Sequence, residues 1–238
     1  MQRYFCLKKD NDKFILNLDD TYHITKVMRM HCGDLIEIVC DNLVYISKII
    51  ELKPNVIALV EKELEINNEL DVKITICQSL VKENKMDLIL QKCTELGACS
   101  FIPLKVKNSI IKGDFEEFSK KVIRWQRIVK EASEQSKRNI IPEVLNVHTI
   151  KEIANLDYEI KILCTVNELS RSLKNVLQNH RKCGTMIIVV GPEGGFTIEE
   201  EKILIEKGFL STSLGNLVLR TETAGICALS MINYEYER

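Results

Sequence analysis

The sequence contains few residues of the kinds that mark disorder, secretion or membrane insertion. Among 238 residues there are only 10 glycines and 4 prolines, while 45% are hydrophobic, which excludes a largely disordered chain. No apolar run approaches the roughly 20 residues that span a bilayer, and the start MQRYFCLKKD lacks the apolar core of a signal peptide. We therefore expect a folded, soluble protein of the cytoplasm.

Cysteine and histidine are not arranged for metal binding. The nine cysteines stand singly, mostly inside apolar runs, and no C-x-x-C pair occurs. The four histidines do not have the spacing of metal ligands, and a zinc site needs clustered Cys and His. The sequence therefore predicts reduced core thiols and no metal site.

A glycine-rich loop stands between an apolar run and an acidic segment in IIVVGPEGGFTIEEE, residues 187–201. The run Ile187 to Val190 predicts a short buried strand of a parallel sheet. Thr197 and Glu200 have the spacing of a capping box, which predicts that a helix begins here with three consecutive glutamates in its first turn.

This acidic helix start argues against a phosphate ligand. A helix N-terminus attracts phosphate through its free N–H groups and its dipole, but here carboxylates already occupy it. The sequence also lacks a Gly-Lys-Ser/Thr after the loop and a G-x-G-x-x-G anywhere. A neutral or cationic ligand fits better, and a tight strand-to-helix turn without a ligand is the alternative.

Residues 1 to 70 are rich in short β-branched runs separated by turn residues, which predicts a small barrel or meander. Asp41-Asn42 and Pro54-Asn55 supply turns between three of the runs. One short helix is predicted in TYHITKVMRM, with Thr21 as its N-cap. The polar stretch EKELEINNELD then marks the domain boundary. The predicted strands are RYFCL, KFILNL, DLIEIVC, LVYISKIIEL and VIALVEKEL.

From residue 72 strands and helices alternate, which predicts an α/β domain. The strands VKITICQSL and SFIPL flank a helix, NKMDLILQKCTELG, that Gly97 should terminate. A long helix follows from about Phe115 to Lys137. Apolar stripes are predicted on these helices at Met86, Ile89, Leu90, Cys93 and Leu96, and at Phe118, Val122, Trp125, Val129 and Ala132.

Positive charge is concentrated in the middle of the chain. Lys and Arg number 9 against 13 Asp and Glu in residues 1–72 (net −4), 14 against 9 in residues 73–150 (net +5), and 10 against 12 in residues 151–238 (net −2). A nucleic-acid partner would therefore contact the middle segment. Arg124 and Arg127 share a face of the long helix, where they could bind phosphate or simply solvate it.

Three further apolar runs, EIKILC, MIIVV and LVL (217–219), are predicted as strands, and each ends in a loop that leads toward a helix. Ligands of α/β sheets collect at the carboxyl ends of strands, so the loops TVNE, GPEGG and RTETAG are predicted to line one pocket. The last loop carries the most polar side chains. Thr221 or Thr223 could cap a helix there, but a capping role leaves Arg220 and Glu222 unexplained.

Six segments in this order resemble one family, the RsmE-type 16S ribosomal RNA uridine-N3 methyltransferases of the SPOUT superfamily. The resemblance covers nearly the whole chain. The segments are MQRYF, HITKVMRMHCGD, KENKMDLILQKCTELGA, RWQRIVKEASEQSKRNIIPEV, GPEGGFTIEEE and LGNLVLRTETAG.

The resemblance implies a fold and partners that composition does not reveal. Residues 1–70 should form a PUA-like β-barrel that binds RNA, and residues 72–238 an α/β SPOUT methyltransferase domain with a C-terminal deep trefoil knot. The cofactor should be S-adenosyl-L-methionine, the substrate 16S rRNA of the small ribosomal subunit, and the assembly a homodimer. A sulfonium cation without phosphate agrees with the acidic helix start.

The resemblance also assigns roles to individual residues. Methylation at uridine N3 requires loss of the N3 proton, so Glu222 is a candidate base and Arg220 a candidate cation beside the uracil oxygens. Glu222 could equally bind the cofactor or orient Arg220. His23, Arg29, Arg124, Arg127 and Arg138 are expected to contact RNA. The expected cofactor contacts are Leu163, Gly191, Pro192, Glu193, Gly194, Leu214, Gly215, Leu219, Thr221, Thr223 and Ala224.

One departure from the family pattern is Asn216-Leu217, where a basic residue often precedes the corresponding run. RNA contact would then be weaker there or supplied elsewhere. Two alternatives to the main prediction remain: another SPOUT methyltransferase acting on a ribose 2′-hydroxyl or on tRNA, and an RNA-binding module without activity. A dinucleotide oxidoreductase is disfavoured because its phosphate-binding pattern is missing.

Overall fold

The structure is a computed structural model and describes residues 1–109, 111, 113, 115–168, 170–180 and 183–236. The chain divides into two compact units. The first comprises residues 1–69 with 133–140, and the second comprises residues 70–132 with the chain from residue 141 onward. The sequence indicates the boundary near residue 70 but gives no sign that residues 133–140 belong with the first unit.

The described part of the first unit contains one mixed sheet around a hydrophobic core that includes Tyr4, Phe14 and Ile38. All five predicted strand segments contain strand. Asp41 and Asn42 have φ of +50° and +65°, which confirms the predicted turn. The strands are β1 (Arg3–Phe5), β2 (Lys9–Asp10), β3 (Lys13–Ile15), β4 (Leu35–Cys40), β5 (Leu43–Glu51) and β6 (Ile57–Leu64), in the order β1-β4-β5-β6-β3-β2, with only β1 and β4 parallel.

The predicted helix exists, but its start is earlier than the sequence indicates. Helix α1 (Leu18–Tyr22) is capped by Asn17, whose side chain accepts a hydrogen bond from the backbone N–H of Asp20 at 2.8 Å, and a π-helical turn follows at His23–Val27. The prediction of Thr21 as the N-cap is wrong. Thr21 lies inside α1, and its hydroxyl accepts from the backbone N–H of Val56 at 3.0 Å.

Two buried arginines hold residues 133–140 in the first unit. The Arg3 guanidinium donates to the carbonyls of Lys137 at 2.6 Å and Arg138 at 3.0 Å, and it also pairs with Glu37 at 2.9 Å. Arg138 donates to both carboxylate oxygens of Glu69, at 3.0 and 2.9 Å from Nε. The buried charges are therefore paired, as the cost of desolvation requires.

The second unit is a parallel sheet over its described strands. They are β7 (Lys73–Ser79), β8 (Ser100–Lys105), β9 (Glu143–Val144), β10 (His148–Thr149), β11 (Ile160–Cys164), β12 (Thr185–Val190) and β13 (Leu210–Thr212), in the order β10-β8-β7-β12-β11-β13, with β9 also beside β8. The helices are α2 (Glu83–Glu95), α3 (Phe115–Gln135), α4 (Ile150–Ala154), α5 (Leu173–Asn179), α6 (Ile198–Glu206) and α7 (Thr221–Tyr236).

Both faces of this sheet are covered by helices. Ile188 and Val190 belong to a core cluster with apolar residues of α2, α3, α5 and α7, whereas Ile187 and Val189 belong to a second cluster with residues of α4 and α6. All four side chains are buried, which confirms the prediction of a buried parallel strand. Trp125 is buried as predicted, and Gly97 ends α2 with a φ of +95°.

One predicted strand is wrong. The run Leu217 to Leu219 is not part of the sheet, and Leu217 and Val218 are more than 80% exposed. The strand beside β11 is instead β13, which is short and only partly apolar. The elements β9, β10, α4 and α5 are not predicted from the sequence, because each is too short to show a clear period.

The cysteines are all free, which confirms the prediction of reduced thiols. Four of them are buried and the others are at least partly exposed, so they are core residues only in part. Within the described ranges, no helix combines the length and the apolar character needed to cross a bilayer.

Candidate active site at the carboxyl ends of the parallel strands

The carboxyl ends of four neighbouring strands lie at the same level of the sheet. Gln78 of β7 pairs in register with Val190 of β12, which pairs with Cys164 of β11, and Cys164 pairs with Thr212 of β13. The chain leaves each strand on the same edge, so the loops after these strands are neighbours.

The loop after β12 leads into an acidic helix start, as predicted. The Thr197 hydroxyl accepts from the backbone N–H of Glu200 at 3.2 Å, and a carboxylate oxygen of Glu200 accepts from the N–H of Thr197 at 2.9 Å, which confirms the capping box. The neighbouring Glu201 accepts from the Thr165 hydroxyl at 2.9 Å. This carboxylate therefore ties α6 to the loop after β11.

Glycine is favoured at two positions of the same loop. A Cβ on Gly191 would lie 3.0 Å from the ring of Phe196, and Gly195 has a φ of +67°. The Asn108 side chain donates to the carbonyls of Gly194 at 3.2 Å and Gly195 at 3.1 Å. The Asn108 side chain therefore stabilises this conformation of the loop.

Thr221 joins this loop to the start of α7. Its hydroxyl donates to the carbonyl of Gly191 at 2.6 Å and accepts from Nε2 of Gln78 at 2.9 Å. Ser79 donates to the carbonyl of Val190 at 2.8 Å. The Thr221 side chain therefore connects β7, the β12 loop and α7, instead of capping a helix.

Three charged side chains meet at the same edge. The Lys85 ammonium, in the first turn of α2, lies 2.9 Å from Oε1 of Glu193 and 3.0 Å from Oε2 of Glu222. Glu193 belongs to the β12 loop and Glu222 to the first turn of α7. The structure therefore brings together two of the three predicted loops, through a lysine that the sequence prediction omitted.

Both carboxylates have a lowered pKa. Burial by itself would raise the pKa of Glu193, but the hydrogen bond from Lys85 and a backbone N–H outweigh it. Burial would also raise the pKa of Glu222. This pKa is nevertheless below the ordinary value, because a backbone N–H, Lys85 and the charge of Arg220 lower it. Both groups are consequently ionised near neutral pH.

The remaining predicted cofactor residues occupy different environments. Leu163 is fully buried within the second core cluster, so it can offer a ligand only its backbone. Gly215 has a φ of +133° and open space beside its Cα. Leu214 and Leu219 pack against the first core cluster, Pro192 and Ala224 are buried, and Gly194 and Thr223 are exposed.

The residues predicted to contact RNA differ in their availability. In the first unit Arg29 is exposed, with a φ of +53°, whereas His23 shares a hydrogen bond of 3.0 Å with the Tyr4 hydroxyl. Arg138 is buried against Glu69, so the structure does not support a role in RNA contact for it.

In the second unit Arg127 is exposed on α3, and Arg124 pairs with Glu83 at 3.0 Å and with Asp87. The basic face of α3 is therefore partly neutralised by α2. Arg127 is the more available of the two arginines for a phosphate.

Three residues of this edge are absent from the sequence prediction. Lys85 stands beside the apolar stripe of α2, Gln78 ends a strand, and Asn108 lies in a short turn. A polar residue just after or at the end of a predicted strand is the signal that points to Gln78. The positions of Lys85 and Asn108 depend on tertiary contacts and leave no comparable local signal.

The middle and C-terminal parts of the chain match a family model. Residues 68–233 match the model of the RNA methyltransferase domain. The ribosomal RNA small subunit methyltransferase E of Bacillus subtilis (strain 168) is 37% identical over 253 aligned positions, covering 100% of this chain and 98% of the relative. The protein of the same name from Aquifex aeolicus (strain VF5) is 32% identical over 98% of this chain and 99% of its own length.

Solved structures agree with these sequence matches. The ribosomal RNA small subunit methyltransferase E from Neisseria gonorrhoeae, bound to S-adenosyl methionine, has a TM-score of 0.90 at 28% identity, covering 99% of this chain and 98% of the other. A putative methyltransferase from Legionella pneumophila in complex with the same cofactor has a TM-score of 0.89 at 30% identity, covering 98% and 96%. This chain therefore belongs to the RNA methyltransferase family, as a relative of the ribosomal RNA small subunit methyltransferases E.

Proposed function

We propose that this protein methylates N3 of a uridine in 16S rRNA of the small ribosomal subunit, with S-adenosyl-L-methionine as the methyl donor. The observation that carries the proposal is the meeting of Glu193 and Glu222 beside an acidic helix start, at the carboxyl edge of a parallel sheet. Such an edge suits a cationic, phosphate-free ligand and disfavours a nucleotide phosphate. The Bacillus subtilis relative is named as a methyltransferase of small-subunit ribosomal RNA, and the Neisseria gonorrhoeae structure is bound to S-adenosyl methionine.

The residues at this edge fit the donor. Gly191 lets the backbone lie close to Phe196, and the hydrogen bond from Thr221 positions the carbonyl of Gly191. Gly215 leaves open space beside its backbone. The proposed binding set comprises Leu163 through its backbone, Gly191, Pro192, Glu193, Gly194, Leu214, Gly215, Leu219, Thr221, Thr223 and Ala224.

The reaction is a displacement at a methyl carbon. When bound, S-adenosylmethionine supplies a methyl group on positively charged sulfur, so that the N3–carbon bond forms as the carbon–sulfur bond breaks with its electron pair left on sulfur. The N3 proton must go to an acceptor, and the ionised Glu222 carboxylate is the proposed one. Arg220, which is exposed next to α7, would stabilise the negative charge that gathers on the uracil oxygens.

RNA binding is proposed for both units. Arg29 in the first unit and Arg127 in the second are exposed cations of the kind that contact phosphate, and His23 and Arg124 are kept as secondary candidates because each already has a partner. N3 lies on the pairing edge of uracil, so the target uridine must be unpaired or turned out of its stack. We therefore expect binding that weakens with salt.

Two finer features of the fold are also proposed, a PUA-like first unit and a C-terminal trefoil knot. The mixed sheet of the first unit is compatible with a PUA-like barrel. In the second unit the chain leaves β13 beside β11 and returns to β7, where Thr221 bonds to Gln78. This return across the strand ends supports a knot, which would be a rare topology.

A homodimer is proposed on the basis of exposed apolar side chains near the C-terminus. Tyr234 of α7 is 84% exposed, Met231 lies on the same helix, and Leu217 and Val218 are exposed in the loop before it. Exposed large apolar side chains are typical of an interface. Light scattering should give twice the mass of one chain, and a monomeric mass would contradict the proposal.

The methyl-transfer proposal is tested with small ribosomal subunits from cells that lack the modification. The purified protein and a labelled methyl donor are incubated with these subunits, the RNA is digested, and the labelled nucleoside is identified. We expect N3-methyluridine from 16S rRNA. A ribose-methylated product or label on tRNA would instead indicate a different RNA methyltransferase, and absence of donor binding by calorimetry would leave an RNA-binding module.

A further inference from the structure

Lys85 connects two acidic residues that come from distant parts of the chain. Its ammonium pairs with Glu193 at 2.9 Å and with Glu222 at 3.0 Å. The three side chains come from α2, the loop after β12 and the first turn of α7. One cation thus joins the proposed cofactor loop to the proposed proton acceptor.

This cluster is partly shielded from solvent. The side chains of Lys85, Glu193 and Glu222 are 23%, 31% and 14% exposed. Oε2 of Glu222 is buried, and Lys85 approaches it at ion-pair distance but without the direction of a good hydrogen bond. Loss of the ammonium would therefore leave a buried, charged oxygen without its nearest cation, which is costly in a sheltered site.

Other charges face the two carboxylates but do not bridge them. The positive charge of Lys82, at the start of α2, acts on Glu193, and that of Arg220 acts on Glu222. Lys85 is the cation with an ion pair to both among the described residues. The pKa of Lys85 is raised, first by its hydrogen bond to Glu193 and then by the carboxylate of Glu222, so its ammonium stays charged at neutral and moderately alkaline pH.

We infer that Lys85 is a positioning residue of the methyl transfer, which fixes Glu193 and Glu222 relative to each other and holds Glu222 as the ionised acceptor of the N3 proton. The inference rests on the proposed function, because Glu222 has this role only if uridine N3 is the nucleophile. Lys85 itself touches neither the donor nor the uridine in this proposal.

Removal of the ammonium has a specific consequence. Two carboxylates close together without a shared cation cannot both ionise easily, so the pair retains a proton to higher pH. A protonated Glu222 does not accept the N3 proton. In Lys85→Met, the acid limb of the kcat–pH profile should move up by about one pH unit, so that kcat falls by up to about tenfold at acid pH and the difference from the unmodified protein disappears toward neutral pH. KM for the RNA should stay nearly constant.

The experiment compares Lys85→Met, Lys85→Arg and a matched control, Lys202→Met. Lys202 forms an exposed pair with Glu206 at 3.9 Å on α6, so the control removes a lysine–glutamate pair of the same unit. The kcat of methyl transfer is measured against pH for each variant. We expect the Arg variant to be close to the unmodified protein and the control to be unchanged.

A second readout does not depend on activity. Carbon-13 spectra of the glutamate carboxyl groups are titrated in the protein without ligand, with Glu193→Gln and Glu222→Gln used for assignment. In Lys85→Met the titration of these carboxyl groups should move up by about one pH unit, and in Lys85→Arg it should move little. Thermal unfolding of each variant is recorded alongside, because a purely structural role would lower stability without moving either pH dependence.

The possible outcomes separate the inference from the proposed function. Unchanged pH profiles and carboxyl titrations in Lys85→Met, with an active unmodified protein, would overturn the inference alone. An unmodified protein that binds the donor but makes no N3-methyluridine would overturn the proposed function and the inference together. If Lys85→Met does not fold, Lys85→Gln replaces it, and failure of both to fold would assign Lys85 a structural role and overturn the inference.

Discussion

The two units of this protein use ion pairs for different purposes. In the first unit Arg3 and Arg138 are almost fully buried and hold residues 133–140, which are far away in the sequence, against β4 and the segment around Glu69. In the second unit hydrogen bonds between parallel strands already hold distant segments together. Its partly exposed charges, Lys85, Glu193 and Glu222, gather at the carboxyl edge of the sheet.

The comparison distinguishes charged residues that stabilise the fold from charged residues that lie where a ligand would bind. A buried pair that closes a fold leaves no ionised group accessible to a ligand. A partly exposed pair at the carboxyl edge leaves Glu193 and Glu222 beside the loops where ligands of α/β sheets bind. We therefore expect substitutions in the first set to affect mainly the free energy of unfolding, and substitutions in the second set to affect mainly the reaction.

The largest effect is expected for Arg138→Met. The change leaves the Glu69 carboxylate without its two-oxygen partner in a poorly solvated site, and it should lower the free energy of unfolding by about 3 kcal/mol. Urea denaturation followed by circular dichroism measures this loss. Arg124→Met is the matched control, because it breaks partly exposed pairs with Glu83 and Asp87 and should cost less, about 1 kcal/mol. Equal losses in both variants would contradict the comparison.

Glu222→Gln should lower the rate of methyl transfer strongly and change the stability little, in contrast to Arg138→Met. The amide keeps the size of the side chain but cannot accept the N3 proton, so kcat should fall about 100-fold. The free energy of unfolding should change by less than about 1 kcal/mol. Steady-state methyl transfer and urea denaturation test the two statements. The role of Glu222 as base would be untenable if the variant kept most of its activity.

A smaller effect is expected for Thr221→Val. The valine methyl group cannot donate to the Gly191 carbonyl or accept from Gln78, which should cost about 1 to 2 kcal/mol and loosen the loop after β12. Calorimetry should then show donor affinity reduced about tenfold. Ser230→Ala, at an exposed position of the same helix and outside the proposed binding set, is the control and should bind like the unmodified protein. Equal affinities in all three proteins would show that Thr221 does not organise the site.

The smallest effect concerns stability in acid. Burial would raise the pKa of Glu37, but hydrogen bonds from Lys137 and Arg3 lower it below the ordinary 4.5. A lowered folded-state pKa contributes stability that is present above pH 4.5 and is lost as the pH falls through the folded value. Glu37→Gln should therefore flatten the acid dependence of stability by about 1 kcal/mol or less.

Urea midpoints measured between neutral pH and pH 3 test the prediction for Glu37. An identical acid dependence in the variant and the unmodified protein would mean that Glu37 does not contribute in this range. Lys9 and Asp12 form an exposed pair in the same unit, so Asp12→Asn is a suitable control and should have a weaker effect.

Several elements could be predicted from local sequence because their signals are local. The capping box of Thr197 and Glu200, the stop at Gly97 and the buried run Ile187 to Val190 each depend on neighbouring residues, and all three are confirmed. The assignment of the run Leu217 to Leu219 as a strand is wrong because apolar character alone does not supply a sheet partner. Thr21 is a good capping residue, but Asn17 caps the helix four residues earlier.

The sequence by itself determined the class of fold, the acidic helix start, the glycine loop and the family. Each of these follows from residue type and short spacing. The tertiary structure decided that Lys85 joins Glu193 to Glu222, that Thr221 connects two loops, and that Arg138 is buried. Those contacts join residues separated by up to well over a hundred positions, and in the second unit the register of the parallel strands brings Lys85, Glu193, Thr221 and Gln78 to one edge of the sheet.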